Sequence, residues 1–242
     1  MSTIVSAFVS NVNHKFEDSL KRYYNFGKLL LKSTTPKIIF VDDKMFELIG
    51  TDYDKTNTVI IKIIKNNTYL YEYIIYITNF RLHSTDHTKD TIEFMFTMCN
   101  KTEWMRQAIE LNPFKTDNFI WLDFGIKHVF NCSDDQFVEK INLLHSKKYE
   151  KIRIGGIWNI NTMYNCNIYK DVLWYFAGGV FGGDKESLLK FADLTKAKCI
   201  EIMTTKNTIM WEVNIWYIIY NENKHLFDIY KCNHNNSIIE NY

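Results

Sequence analysis

Phe119-Ile120-Trp121-Leu122-Asp123-Phe124-Gly125 is an apolar run that ends by delivering a carboxylate. A short apolar run of this kind reads as a buried strand. Open α/β sheets bind ligands at the carboxyl ends of their strands, and a carboxylate placed there can hold a divalent cation that bridges two phosphates. The bland alternative is an acid that caps the following helix. Asp-Phe-Gly also occurs in protein kinases, but that assignment needs an upstream His-Arg-Asp and an early glycine-rich loop, and the chain has neither.

Three further constellations could carry chemistry. Tyr175-Phe176-Ala177-Gly178-Gly179-Val180-Phe181-Gly182-Gly183 sets two glycine pairs among aromatics. Glycine lets a ligand lie against the backbone itself, while flat rings suit a sugar; the alternative is a tight packing corner. Met210-Trp211-Glu212-Val213-Asn214-Ile215-Trp216 places a carboxylate among aromatics. On a helix Glu212 and Trp216 share a face and Asn214 points elsewhere, so this is either a pocket lining or an ordinary core helix. His234, after the last expected strand, could join an earlier Asp on a metal, and His128 competes for that role. Lys101, within a long helical pattern, could meet a phosphate or simply be solvated.

The elements that would position these residues alternate between two periods. Thr3 to Ser10 and Lys37 to Asp43 read as buried strands flanking a helical pattern at Phe16, Leu20, Tyr23, Tyr24 and Leu30, which Pro36 ends. Strand, helix, strand predicts a parallel pair. Extended segments are expected at 58–64 and 69–77, a long helix over 89–111, and a strand over 118–122. A helix follows over 134–144 with Ser133 as its cap, then a strand over 151–154 and a glycine-rich crossing over 174–181. Helices over 185–203 and 208–220 and a strand over 226–231 complete the pattern, leaving a polar tail. The alternation predicts an α/β class, and no Pro/Gly/Ser-rich linker divides the 242 residues.

Composition narrows the function. Hydrophobic residues make up 46% and charged residues 24%, enough for a sizeable core. The net charge of +1 provides no electrostatic footprint for nucleic acid. No apolar stretch is long enough to span a membrane, and no basic segment precedes the first apolar run, so a secretory signal is not expected. Five cysteines without a Cys-x-x-Cys pair read as reduced thiols of a cytoplasmic protein rather than a disulfide or zinc framework.

Several of these segments occur together in a recognisable order: Thr3-Ile4-Val5-Ser6-Ala7-Phe8; Lys101 with Trp104; Glu110-Leu111-Asn112-Pro113-Phe114 leading to Trp121-Leu122-Asp123-Phe124-Gly125 and His128; and Ala177-Gly178-Gly179 with Phe181-Gly182-Gly183. In this order they resemble the HtrL/YibB-like (WlaTC) family over nearly the whole chain. The glycine block is also similar to the Phe-Phe-Gly-Gly segment of blood-group-type glycosyltransferases. The resemblance implies a glycosyltransferase with a single GT-A domain over 1–242, a Rossmann-like mixed sheet flanked by helices. About residues 1–130 would hold the nucleotide-sugar, a UDP-sugar, and about residues 131–242 a glycan acceptor.

By that resemblance Ala7 and Phe8 end the first strand beside the nucleotide, and Asp42 or Asp43 faces the base or ribose. Asp123 takes the place of the Asp-x-Asp metal motif, and Gly178, Gly179, Gly182 and Gly183 shape the sugar floor. Glu212 approaches the acceptor hydroxyl as its base, and His234 is the late metal ligand for Mn²⁺ or Mg²⁺. Gly125 replaces the second acid, so either His234 completes the site, or Lys101 and helix N-termini neutralise the diphosphate. Two rivals stand beside this reading. A sugar-nucleotidyltransferase would open with a Gly- and Arg-containing loop, which Ser6-Ala7-Phe8-Val9-Ser10 lacks. A degenerate binding module without turnover would tolerate the incomplete metal motif.

Overall fold

The computed structural model describes residues 1–10, 17–84, 86–159 and 165–242. Phe16, which opens the first helical pattern, lies outside them. β1 (Ser2–Phe8) leads to α1 (Glu17–Lys32), whose end precedes Pro36, and then to β2 (Lys37–Val41). α2 (Asp43–Ile49) and β3 (Thr58–Lys62) follow. Ile92–Cys99 forms α3 and Lys101–Leu111 forms α4. β4 (Asn118–Leu122), α5 (Asp134–Leu144), β5 (Ile152–Gly156) and β6 (Phe176–Asp184) carry the chain into its second half. α6 (Lys185–Lys206), α7 (Glu212–Glu222), β7 (Phe227–Lys231) and the short α8 (Ser237–Glu240) complete it.

The strands form one mixed sheet in the order β3-β2-β1-β4-β6-β5-β7. β1, β2, β3 and β4 are parallel, and β6 alone runs against its neighbours β4 and β5. Leu122 pairs with Val180 and Phe119 with Gly183. The start of β6 therefore lies beside the end of β4, at the edge where Asp123 emerges.

Period-two alternation sends side chains to two cores, one per face. Val5, Phe40, Trp121 and Phe181 enter one; Ile4, Ile39, Ile120 and Val180 enter the other. On the first face Phe40, Trp104, Trp121 and Phe181 stack in series with centroid spacings of 6.3, 6.2 and 6.0 Å. Such stacked rings exclude water and fix one another's orientation, so Trp121 stands rigidly below the sheet edge.

Four local expectations change. Tyr69–Tyr76 is a 3₁₀ helix, not a strand; its β-prone rings pack against the α-helical layer, with Tyr71 set edge-on to Phe96. The long helix expected over 89–111 divides at Asn100, the C-cap of α3, whose carbonyl starts α4 by accepting from both Glu103 and Trp104. This break makes Lys101 the first residue of α4. Helix 208–220 begins only at Glu212. The polar tail contains α8, and Tyr242 beyond it is fully buried. Ser133 caps α5 as expected, in a reciprocal capping box with Gln136.

Candidate active site

Asp123 leaves β4 with its backbone N–H bonded to the Gly179 carbonyl at 2.9 Å. Its Oδ1 accepts from the Trp121 indole N–H at 2.6 Å, a bond the rigid ring stack holds in place. The Lys101 ammonium lies 3.0 Å from Oδ1 and 3.3 Å from Oδ2. The same ammonium donates to the Gly178 carbonyl at 3.1 Å and to Glu212 Oε1 at 3.0 Å. Lys101 is 2% exposed and Glu212 3%. One buried cation thus joins the end of β4, the start of β6 and the first residue of α7.

The electrostatics follow from this geometry. Burial alone would lower the Lys101 ammonium, but the Asp123 and Glu212 carboxylates more than offset it and hold the group above its ordinary value. The lysine is charged at every working pH, and its three N–H bonds are committed. That corrects the phosphate role considered from sequence: Lys101 is an internal counter-ion with no donor left for a diphosphate. Gly178 is what permits the arrangement, since a Cβ there would stand 2.8 Å from Glu212 Oε1.

Two chambers meet at this junction. A cavity of about 190 Å³ is lined by Ala7, Phe8, Tyr23, Trp121, Asp123 and Gly125. One of about 480 Å³ is lined by Trp158, Trp174, Gly178, Gly179, Trp211, Glu212 and His234. Lys89, Phe94, Lys101, Asp123 and His128 border both. Exposed His128 has Nδ1 at 2.7 Å from the Gly125 carbonyl. Because a carbonyl only accepts, Nδ1 carries a proton in this contact.

Ala7, Phe8, Lys101, Asp123, Gly178, Gly179, Glu212 and His234 therefore converge as the sequence suggests. Others do not. Asp42 is the N-cap of α2: it accepts from the Met45 N–H at 3.0 Å, the Ser10 N–H at 2.8 Å and the Ser10 hydroxyl. Three internal donors consume the carboxylate that was to face a ribose. Asp43 is exposed and pairs with Lys62 at 2.6 Å. Gly182 and Gly183 lie at the opposite end of β6, beside Phe119. There a Cβ on Gly182 would meet the Tyr242 hydroxyl, and at 2.5 Å the Phe119 carbonyl; one on Gly183 would stand 2.6 Å from the Lys151 carbonyl. This glycine pair serves packing.

Sequence reasoning missed Trp174 and the indole of Trp121. The signal for Trp121 was its place two residues before Asp123 on the same face of a strand. Trp174 sits in a segment held by Asn214, which points away from Glu212 as helical geometry requires. The Asn214 amide accepts from the Leu173 N–H at 2.8 Å and donates to the Ile168 and Asp171 carbonyls, each at 2.7 Å.

Metal chemistry has an open donor set here. Asp123 and His234 border one chamber. Desolvation, with His128 and Lys89 nearby, pushes the His234 imidazole below its ordinary value, so it is neutral and able to ligate at pH 7. Among the described residues no group of three or more His, Cys, Asp or Glu could hold an ion. A second acid in place of Gly125 would require Tyr23 to shift, because a Cβ there would lie 2.7 Å from its ring. These residues fit an ion that arrives with ligands of its own, not one caged by protein alone.

Among solved structures, the galactosyltransferase LgtC in complex with donor and acceptor sugar analogs superposes with a TM-score of 0.50 at 10% identity, over 94% of this chain and 72% of that one. Mouse xyloside xylosyltransferase 1 in its apo form gives 0.47 at 12% identity, covering 96% and 85%. A glycosyltransferase involved in glycosylation of the major capsid of PBCV-1 gives 0.41 at 11%, covering 95% and 80%. The shared feature is the GT-A fold, a single mixed sheet flanked by helices. No curated protein matches the sequence. The family model described as "Bacterial protein of unknown function (HtrL_YibB)" matches residues 2–237, and the chain belongs to that family.

Proposed function

We propose that this protein transfers a sugar from a nucleoside-diphosphate sugar, a UDP-sugar, to a hydroxyl acceptor. The observation that carries the reading is the charged junction of Asp123, Lys101 and Glu212 at the carboxyl edge of the sheet, with a chamber on either side. The fold shared with LgtC supports it. The donor occupies the chamber of Ala7 and Phe8, formed by the first half of the chain, and the acceptor enters beside Glu212 in the second half.

In the inverting course, Glu212 Oε2 accepts the proton of the acceptor hydroxyl as its oxygen attacks the anomeric carbon. The bond to the diphosphate breaks, and the diphosphate leaves with the electron pair. Lys101 compensates the buried charge of Glu212 and fixes Oε1, leaving Oε2 for the acceptor. Lys89, at the border of the chambers, faces the charge that grows on the leaving group. Mn²⁺ or Mg²⁺, held by Asp123, His234 and the diphosphate oxygens, would supply additional neutralisation of that charge.

Incubating the protein with UDP-sugars and following UDP release tests this. Wild type should release UDP, and Asp123→Asn should lose turnover with an unchanged Tm. EDTA should abolish turnover and Mn²⁺ restore it. Turnover at the wild-type rate in Asp123→Asn would refute the site. A second reading, a degenerate nucleotide-sugar or glycan-binding module, draws support from Gly125 and the open donor set. It predicts stabilisation by nucleotide, about 2.7 kcal/mol at a hundred times Kd, without any UDP release.

A further inference from the structure

One wall of the larger chamber is irregular chain. Residues 167–174 hold no strand or α-helix, yet Asp171, Val172 and Trp174 all line the cavity. The turn braces itself. Asp171 Oδ2 accepts from the Asn167 N–H at 2.6 Å, and the Asn167 carbonyl accepts from the Lys170 and Asp171 N–H groups at 2.9 and 2.8 Å. A braced turn moves as a unit, so its place depends on what holds it from outside. Two polar anchors do so. From α7, fully buried Asn214 accepts from the Leu173 N–H and donates to the Ile168 and Asp171 carbonyls. From the exposed side, the His83 N–H donates to the Lys170 carbonyl at 2.8 Å, and the His83 ring Nδ1 stands 3.4 Å from Asp171 Oδ1.

An amide side chain offers one carbonyl and two N–H donors, and each of these three bonds goes to the turn. A polar group at a fully buried helix position is costly to desolvate, and once satisfied it specifies one arrangement of its partners. Asn214 lies two residues after Glu212 in the first turn of α7. The amide that places the turn and the carboxylate bound to Lys101 therefore belong to one rigid body. We propose that Asn214 is a positioning residue: it sets the Trp174 wall against Glu212 and so shapes the space where the second substrate meets that carboxylate. The inference rests on the transferase reading for its effect on turnover; the placement of the wall does not depend on it. Loss of the amide frees the turn but leaves the chamber of Ala7 and Phe8 untouched, because no residue of the turn lines it. Donor binding then persists while the geometry of attack degrades.

Fluorine NMR of fluorotryptophan-labelled protein tests this alongside UDP release from a UDP-sugar that the wild type turns over. The Trp174 and Trp104 lines are assigned from their Phe variants. In Asn214→Ala the Trp174 line should shift or broaden while the Trp104 line, from the ring stack, stays in place. The affinity for UDP should be unchanged, and kcat should fall at least about tenfold, as expected when a reacting group is misplaced. Asn214→Ser keeps one hydroxyl and serves if the alanine variant does not fold. His83→Ala, at a side chain 52% exposed, should move the same line by less. A wild type that releases no UDP would sink the transferase reading, and the Trp174 line alone would then decide the placement of the wall. An unmoved Trp174 line in the Asn214 variants would overturn the proposal, as would a wild-type kcat in a variant whose Trp174 line has moved.

Discussion

Lys101→Met isolates the junction on which the site depends. The substitution keeps most of the side-chain volume and removes the charge. Glu212, 3% exposed, then has a buried carboxylate without a counter-ion. Breaking a buried pair from one side costs about 3–5 kcal/mol. Asp123 adds less than about 1 kcal/mol, because its side chain is 39% exposed and water screens it. Against a native stability of about 5–15 kcal/mol, the variant should fold but unfold at clearly lower urea. At about 2–4 °C per kcal/mol for a chain of this size, Tm should fall by about 10 °C. Adding Glu212→Gln removes the stranded charge, so the double variant should regain more than half of the loss, with a coupling above about 1.5 kcal/mol in the cycle. Urea melts of the four proteins measure this. A loss below about 1 kcal/mol in Lys101→Met, or a double variant no more stable than it, would refute the idea that Lys101 is the counter-ion of Glu212.

Other outcomes follow from the same geometry. Burial pushes the Lys37 ammonium, bonded to Ser33 O, Asn57 and Thr58, down to about 8 from 10.5. Between those values the unfolded chain binds more protons, so stability should rise with pH by up to about 3 kcal/mol. The rise should be absent in Lys37→Met; Lys101, held above its ordinary value, adds no slope there. Gly182→Ala should lower Tm without moving nucleotide affinity, because its new Cβ strikes Tyr242 and the Phe119 carbonyl far from the chambers. Gly178→Ala should reduce turnover by displacing Glu212, so equal effects of the two substitutions would contradict this division of the glycine block. Asn214→Leu should cost several kcal/mol, at about 1–3 for each buried backbone group left unpaired, read from chemical melts.

β1, β2 and β4 were legible because each is a short, mostly apolar run, whereas β6, rich in glycine, read only as a crossing segment. Tyr69–Tyr76 misled because aromatic and β-branched residues suit a packed 3₁₀ turn as readily as a strand. The glycine block shows a different limit. Gly178 and Gly182 look alike in sequence, yet β6 is antiparallel to β4, so Gly178 lies toward the Asp123 end while Gly182 pairs with Ile120 in the middle of β4. Strand direction is a tertiary property, and periodicity does not carry it.

The acids divide for a related reason. Asp42 and Asp123 each follow an apolar strand and emerge at the same edge. α2 begins immediately after Asp42, whose carboxylate satisfies the orphan Met45 N–H. After Asp123 the chain instead turns through Phe124 and Gly125, so its carboxylate is not used as a cap. The Trp121 indole and the Lys101 ammonium take it instead, from the same strand and from α4. Lysine at the start of a helix opposes the helix dipole and is poorly placed by local rules alone. Its position becomes intelligible once two carboxylates from distant segments meet there. The residue that local chemistry explains least is the one that joins the three elements of the site.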